Sequence, residues 1–466
     1  MPAQSEPDQA QYRLIITRRG ATEILLSKQR GGCALPQLEV LARARVAEQL
    51  VSGAKEKFGL ETYCLWTGIL PTSEAAPRLE RHAVMEAIRQ QQAALPDAIW
   101  IPSIQAASNG TLLPADHMAV RSSLEDLHRH LARPDASPFT KPGWIKELFH
   151  WVQSRIEPLG LRATGDFQQL NASPGFSLMR IKTTTGAVWF KATGEPNTRE
   201  LGISVALDRL FPGHVPQVLG VHRIWNGWLS EEIAGLTLDR CADVRAWAGA
   251  ARALAELQIA SISKTEVLLE GGCRDLRLHE LGRQIEPFLA RTKELMAMQT
   301  KSSPQILTDS EIDGLGDQLS DALAKLHQHG IPSTLGHLDP NPRNIIASRS
   351  GCRFLDWAEG SVTHPLFSFE YLAEHARRAF PQPGPETDSL VAAYLQPWQS
   401  FFSPQRLAQV MSISPLLAVF ACAVNANACS PETLRHPVFA RHFRSLARRA
   451  HREAEKLAKR IDRCPA

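Results

Sequence analysis

The sequence predicts an α+β chain of two or three packed units, and three observations carry that prediction. Strand-like runs crowd into residues 167–232. Nearly everything after Gly235 has helical periodicity. A separate small α/β pattern precedes a break rich in proline and glycine at residues 134–143. With 466 residues, the chain is about three times an average domain of ~150 and long enough for a large core.

The elements follow in order. Residues 13–17 and 23–26 read as strands around a turn at Arg19-Gly20, and residues 40–58 as a helix with Gly59 at its C′ position. A strand at 98–102 and helical pattern to about residue 132 complete this first unit, 1–132. Residues 133–158 are expected to be a linker with a short amphipathic helix at 144–156. Strands at 167–170, 177–183 and 187–192 follow, with Thr185-Gly186 as a hairpin turn, then a helix at 197–210 and strands at 217–221 and 228–232. These form a β-rich unit, 159–233. Residues 234–466 form a helical one, with helices at 242–259, 276–298 and 310–329. Thr308 and Glu311 are spaced as a capping box for the last of these.

Composition excludes several classes. Hydrophobic residues at 44% and charged residues at 21% argue against long disordered, collagenous or coiled-coil character. A balance of 52 Lys and Arg against 48 Asp and Glu requires no nucleic-acid partner. The eight cysteines show no C-x-x-C and no histidine at metal-ligand spacing, so reduced thiols and a cytoplasmic location are expected. The polar, acidic start lacks the layout of a secretory signal. The apolar stretch at 416–424 is short of the ~18–20 residues that span a bilayer, so no membrane span is expected.

The chemistry concentrates in Gly336-His337-Leu338-Asp339-Pro340-Asn341-Pro342-Arg343-Asn344, followed by Phe354-Leu355-Asp356-Trp357, whose Asp356 stands twelve residues after Asn344. Phosphoryl transfer needs a carboxylate at the acceptor hydroxyl and oxygen ligands for magnesium, because polyphosphate charge must be neutralised while nucleophile and phosphorus are held in line. Asp339 would orient or deprotonate the acceptor, Asn344 and Asp356 would hold Mg2+, and His337 would brace the loop.

These segments resemble the aminoglycoside phosphotransferase and choline kinase family, relatives of protein kinases, whose loop reads H-x-D-x-x-x-x-N and whose metal-binding Asp is followed by Trp. The resemblance implies a bilobal kinase-like fold over residues 160–450 and ATP as phosphoryl donor. It also implies a strand lysine on the phosphates, Lys191, steadied by the helical Glu200, and backbone groups around Glu232 on the adenine. The phosphate-covering turn matches least, because residues 171–177 hold one glycine; Ser173 and Ser177 there could touch phosphates or simply close a strand turn.

Residues 12–131 resemble a degraded Nudix domain. An active Nudix helix sets several carboxylates on one face, and aligning on Gly59 leaves only Glu56, with Ser52, Gly53 and Lys57 where others should be. A catalytically inactive domain is expected, with Glu56 as a solvated helix residue.

From Trp357 onward nine acidic residues face thirteen Lys and Arg, and the helix at 441–463 is strongly basic. A solvated helix face accounts for that run, with an anionic partner as the other reading, and the bias disfavours polycationic acceptors. The expected function is ATP- and Mg2+-dependent transfer of the γ-phosphoryl group to a hydroxyl of a small-molecule acceptor, with no nucleic-acid or membrane partner. The alternative is a non-enzymatic nucleotide-binding regulatory module. A protein kinase is less consistent with the absence of A-P-E after Asp356 and the helical stretch between Gly235 and Gly336.

Overall fold

Alternation along the first strand sets the architecture of the N-terminal part: Leu14 and Ile16 enter one core while Ile15, on the opposite face, enters another. In the computed structural model, the described residues are 9–463 apart from 30–31, 42–44, 70–80, 89–96, 109, 111, 134–136, 382–383 and 428–436. Pro134 of the expected linker, with Cys429 and Cys464, therefore lies outside the described residues. The chain divides into two units, Met1–Glu195 with Val218–Glu232, and Pro196–Gln217 with Ile233–Ala466.

The first unit begins with β1 (Gln9–Arg18), β2 (Glu23–Gln29), β3 (Gly32–Ala34), β4 (Gln37–Leu41), α1 (Val46–Phe58), β5 (Thr62–Ile69), β6 (Arg81–Ala87) and β7 (Ala98–Pro102). The strands form one sheet of order β3-β2-β1-β6-β5, with β4 on β1 and β7 on β2. The helix expected at 40–58 starts later, because Val40 and Leu41 belong to β4, whose burial alternates with period two. Gly59 does close α1 in the left-handed conformation at φ 67°. Gly53 lets α1 approach β4, since a Cβ there would lie 2.9 Å from Leu38 Cδ1. Glu56 is exposed on α1.

After α2 (Ser103–Ser108), α3 (Pro114–Ala132) and α4 (Trp144–Ile156), a second sheet is built from β8 (Ala163–Ser173), β9 (Phe176–Thr183), β10 (Gly186–Thr193), β11 (Val218–His222) and β12 (Gly227–Glu231). Its order is β11-β12-β10-β9-β8, all antiparallel. The β9–β10 turn centres on Thr184-Thr185, one residue before the expected position, since Thr183 pairs with Gly186. One core runs from the first sheet through α3 and α4 into the second sheet, joining Ile15, Leu148, Met179 and Phe190. Phe139, inside the proline- and glycine-rich break, packs edge-on to Trp144 and Trp225 in that core. The buried Gln169 of β8 ties the two sheets: its amide accepts from Cys64 N–H and donates to Cys64 C=O, both at 2.8 Å.

The second unit is mainly helical. It contains α5 (Glu200–Leu210), β13 (Leu236–Thr237), α6 (Val244–Ser261), α7 (Thr265–Glu270), β14 (Arg274–Leu276), α8 (Leu278–Arg283), α9 (Ile285–Ala297) and α10 (Asp309–Gln328). Then come β15 (Thr334–His337), β16 (Ile345–Ser348), β17 (Gly351–Phe354), β18 (Gly360–Thr363), α11 (Pro365–Ala379), α12 (Pro385–Trp398), α13 (Pro404–Asn427) and a last helix, Pro437–Arg463. The single helix expected at 276–298 is instead a strand end and two helices. Pro287 lacks an N–H and fits only a first turn, so a helix restarts there. Thr308 and Glu311 make both halves of the capping box, at 3.2 and 2.7 Å.

α13 holds a 22-residue stretch, Pro404–Asn425, long and apolar enough to cross a membrane, but two thirds of its apolar window is buried in this unit. The basic face of the last helix is only partly solvated: Arg444 donates to Leu295 C=O at 3.1 Å and Arg448 to Gln305 C=O at 2.6 Å, covering the chain around the C-terminus of α9.

Candidate functional site

Two strand pairs in the second unit hold the motif segments. β15 pairs with β18, and Gly336 permits the close approach, since a Cβ there would lie 2.4 Å from Thr363 Cγ2. β16 pairs with β17, which sets Asn344 beside Leu355: Leu355 N–H donates to Asn344 C=O at 2.7 Å.

His337 is fully buried between the two segments. Its backbone N–H donates to Ser368 Oγ at 2.9 Å, and its Nδ1 accepts the Asp339 N–H at 3.3 Å. With Nδ1 accepting, Nε2 carries the proton and donates to Leu355 C=O at 2.8 Å. The ring rests on Trp357, with centroids 4.4 Å apart. One side chain thus fixes Asp339 relative to the residue before Asp356.

Asn344 donates through Nδ2 to Asp339 C=O at 3.3 Å, which turns its Oδ1 outward from that bond. Asp356 is exposed and adopts φ 62°, a left-handed conformation that aspartate tolerates better than most residues. The second unit therefore brings Asp339, Asn344 and Asp356 together. Glu200 lies buried in the first turn of α5, whose Ile203 packs against Gly360 just beyond Asp356.

Lys191 and Glu232 belong to the first unit. Lys191 is central on β10, opposite Leu178 and Trp228, with Nζ 5.7 Å from the rings of Phe176 and Trp228. The Glu232 side chain is engaged by Arg180, at 2.5 and 2.9 Å. In the 171–177 turn, Ser173 Oγ reaches Phe176 C=O at 3.5 Å, and Ser177 Oγ is buried.

Electrostatics distinguish Asp339. Burial raises its pKa, the nearby Asp356 charge adds to the rise, and a hydrogen bond from Tyr371 partly offsets it. Two residues that sequence reasoning missed share this environment. Glu359 is pushed up to about 7, chiefly by burial, then by Asp339, against the opposing charge of Arg274. Tyr371 of α11 is raised by burial and by Asp339. Glu359 was within sight of the motif, three residues past Asp356; Tyr371 carried no signal, because the rotation of α11 toward the loop is a tertiary matter.

No curated protein matches the chain significantly. Among solved structures, an ethanolamine kinase from Plasmodium vivax aligns with 14% identity and a TM-score of 0.46, covering 66% of this chain and 85% of that one. A macrolide 2'-phosphotransferase from Brachybacterium faecium aligns with 15% identity and a TM-score of 0.44, covering 65% and 97%. A choline kinase from Streptococcus pneumoniae gives 14% identity and a TM-score of 0.43, covering 66% and 99%. The profile of the phosphotransferase enzyme family matches residues 197–409, a span that holds Glu200, Asp339, Asn344 and Asp356 but not Lys191. Over residues 197–409 the chain is thus similar to the phosphotransferase enzyme family.

Proposed function

We propose that this protein transfers the γ-phosphoryl group of ATP directly to a hydroxyl of a small-molecule acceptor. The observation that supports this most is the His337 bridge, which ties the Asp339 loop to the Asp356 turn through Asp339 N–H and Leu355 C=O. Such a tie keeps an acceptor-facing carboxylate and a phosphate-facing carboxylate in fixed register, as in-line transfer demands.

In this reading Asp339 accepts the acceptor's hydroxyl proton, and its raised pKa makes it a better base than an ordinary aspartate. Tyr371, beside Asp339, would orient its carboxylate. Asn344 Oδ1 and the Asp356 carboxylate are hard oxygen donors, the kind that magnesium takes, and would hold that ion. Magnesium bound there would neutralise phosphate charge. Lys191 would contact the phosphates, steadied by Glu200, and backbone groups at Glu232 would meet the adenine.

The proposed arrangement is a kinase-like small lobe at 159–233 and large lobe at 234–466, preceded by an inactive Nudix-like domain at 1–132. Exposed Glu56, the lone acid retained from the Nudix helix series, supports the inactivity.

Thermal unfolding with and without ATP and magnesium tests this without knowing the acceptor. Stabilisation of the wild type, lost in Asp356→Ala, is the expected result. No shift in the wild type at millimolar nucleotide would reject the reading in favour of a fold kept for regulation.

A further inference from the structure

A cavity of about 290 Å³ lies between α11, α13 and the last helix, entirely within the second unit. Each helix gives it one face: Phe367, Tyr371 and Glu374 recur at helical spacing on α11, as do Ala418 and Cys422 on α13. On the last helix the series is Leu446, Arg449, Glu453, Lys456 and Arg460. The buried end of the cavity is tied to the Asp339 loop twice. Tyr371 lies beside Asp339, near enough for the two charges to influence each other, and Cys422 Sγ lies 3.8 Å from Leu338 C=O. The solvent end is where Lys456 and Arg460 are exposed.

The charges around it do not cancel. Four lining cations, Arg377, Arg449, Lys456 and Arg460, face three carboxylates. Glu374 is already held by Arg377 at 3.0 Å and by Arg378, outside the lining, at 2.9 Å. Glu453 is held by Lys456 at 2.9 Å, and Glu370 is buried and accepts from Ser414 Oγ at 3.0 Å. Arg449 reaches a carboxylate only at 3.7 Å, and Arg460 has no carboxylate partner among the described residues. A polycation would meet repulsion here, whereas an anion would meet two under-engaged guanidinium groups. At ~30 Å³ per water-sized group, the volume suits about ten non-hydrogen atoms.

We propose that the acceptor is a small hydroxyl compound carrying a carboxylate or phosphate. Its anion is held at Arg449, its hydroxyl lies toward Tyr371 and Asp339, and Arg460, about three turns farther along the helix at the solvent end, adds positive charge at the entrance. This inference rests on the phosphotransferase reading above.

The test is ADP release by the full chain with ATP and magnesium, using matched acceptors: glycerol, glycerate and glycerol 3-phosphate; ethanolamine and serine; glucose, gluconate and glucose 6-phosphate. Anionic members should exceed neutral or cationic ones by about tenfold or more in kcat/KM, and the carboxylate and phosphate arms identify which anion is meant. Arg449→Gln should erode that preference through a higher KM, and Arg460→Glu, which inverts the charge at the entrance, should weaken it in the same direction. Because Arg460 is exposed, its variant keeps the proposal testable if Arg449→Gln fails to fold.

Equal or better use of glycerol, ethanolamine or glucose would overturn the proposal, as would a preference unchanged in both Arg449→Gln and Arg460→Glu. If the panel gives no turnover, the same acceptors are tested in thermal unfolding. No stabilisation by any anionic member, while ATP with magnesium does stabilise, overturns the acceptor class alone. No stabilisation by ATP with magnesium overturns the phosphotransferase reading itself.

Discussion

Replacing His337 by alanine perturbs a side chain that bridges both motif segments. The imidazole is fully buried, donates to Leu355 C=O at 2.8 Å and accepts from Asp339 N–H at 3.3 Å. Removing it leaves the Leu355 carbonyl without that donor, at a cost of about 1–3 kcal/mol. The lost Trp357 contact and the void left by the ring bring the total to about 3–5 kcal/mol. At roughly 2–4 °C per kcal/mol for a unit of this size, the melting temperature should fall by roughly 6–20 °C. The assay is thermal unfolding of wild type and His337→Ala, with and without ATP and magnesium. Stabilisation by nucleotide should weaken as well, since Asp356 loses the anchor on its neighbour Leu355. His337→Gln, whose amide can make one of the two bonds, should recover part of the loss. A His337→Ala protein that melts with the wild type and gains as much from nucleotide would refute the bridging argument.

Asp339→Asn should keep nucleotide-dependent stabilisation and lower turnover by about 10²–10⁴-fold, whereas Asp356→Ala should lose the stabilisation; the reverse pattern in unfolding and ADP-release assays would exchange their roles. Because the pKa of Asp339 is raised by burial and by the nearby Asp356 charge, activity should fall with decreasing pH through a value above the ordinary aspartate range, which a pH–rate profile checks. Glu359 binds its proton more tightly folded than unfolded, so the stability it confers is complete below about 4.5 and declines by roughly 3 kcal/mol as pH rises through about 7; denaturant titrations of Glu359→Gln across that window should show a flatter profile. Gln169→Leu leaves a buried N–H and C=O of Cys64 without their partner, so urea titration should show a loss of about 2–4 kcal/mol from the first unit, and a loss below about 0.5 kcal/mol would mean the two sheets do not depend on this tie.

What the sequence made legible is local. The capping box at Thr308 and Glu311, the left-handed Gly59 and the β9–β10 hairpin depend on residues within a few positions of one another, and each forms where its pattern stands, the hairpin turn one residue early. Where two local signals compete, the reading slips. Val40 and Leu41 fit a helical series into α1 but pair with β1 as part of β4, because Tyr12 and Ala10 lie opposite Leu38 and Val40. Pro287 overrides an otherwise continuous helical pattern for a covalent reason that hydrophobic periodicity does not contain.

The site divides along the same line. Asp339, Asn344 and Asp356 are near in sequence and are joined by a β16–β17 hairpin, so a chain segment of fewer than 20 residues brings them together and their types alone suggested the chemistry. Tyr371 reaches the neighbourhood, and Arg449 and Arg460 line the adjoining cavity, from helices whose rotations are set by core packing of Phe367, Phe369, Phe420 and Phe443. A basic run on a helix gives the same sequence signal whether its cations cap a neighbour, as Arg444 and Arg448 do, or border a cavity, as Arg449 and Arg460 do. Arg448 and Arg449 are adjacent in sequence yet separated by about 100° around the helix, so neighbouring residues of one charge take different tasks. Acceptor selectivity is therefore a property of helix rotation, and charge inversion at Arg460 tests that directly because it leaves the packed face of the helix untouched.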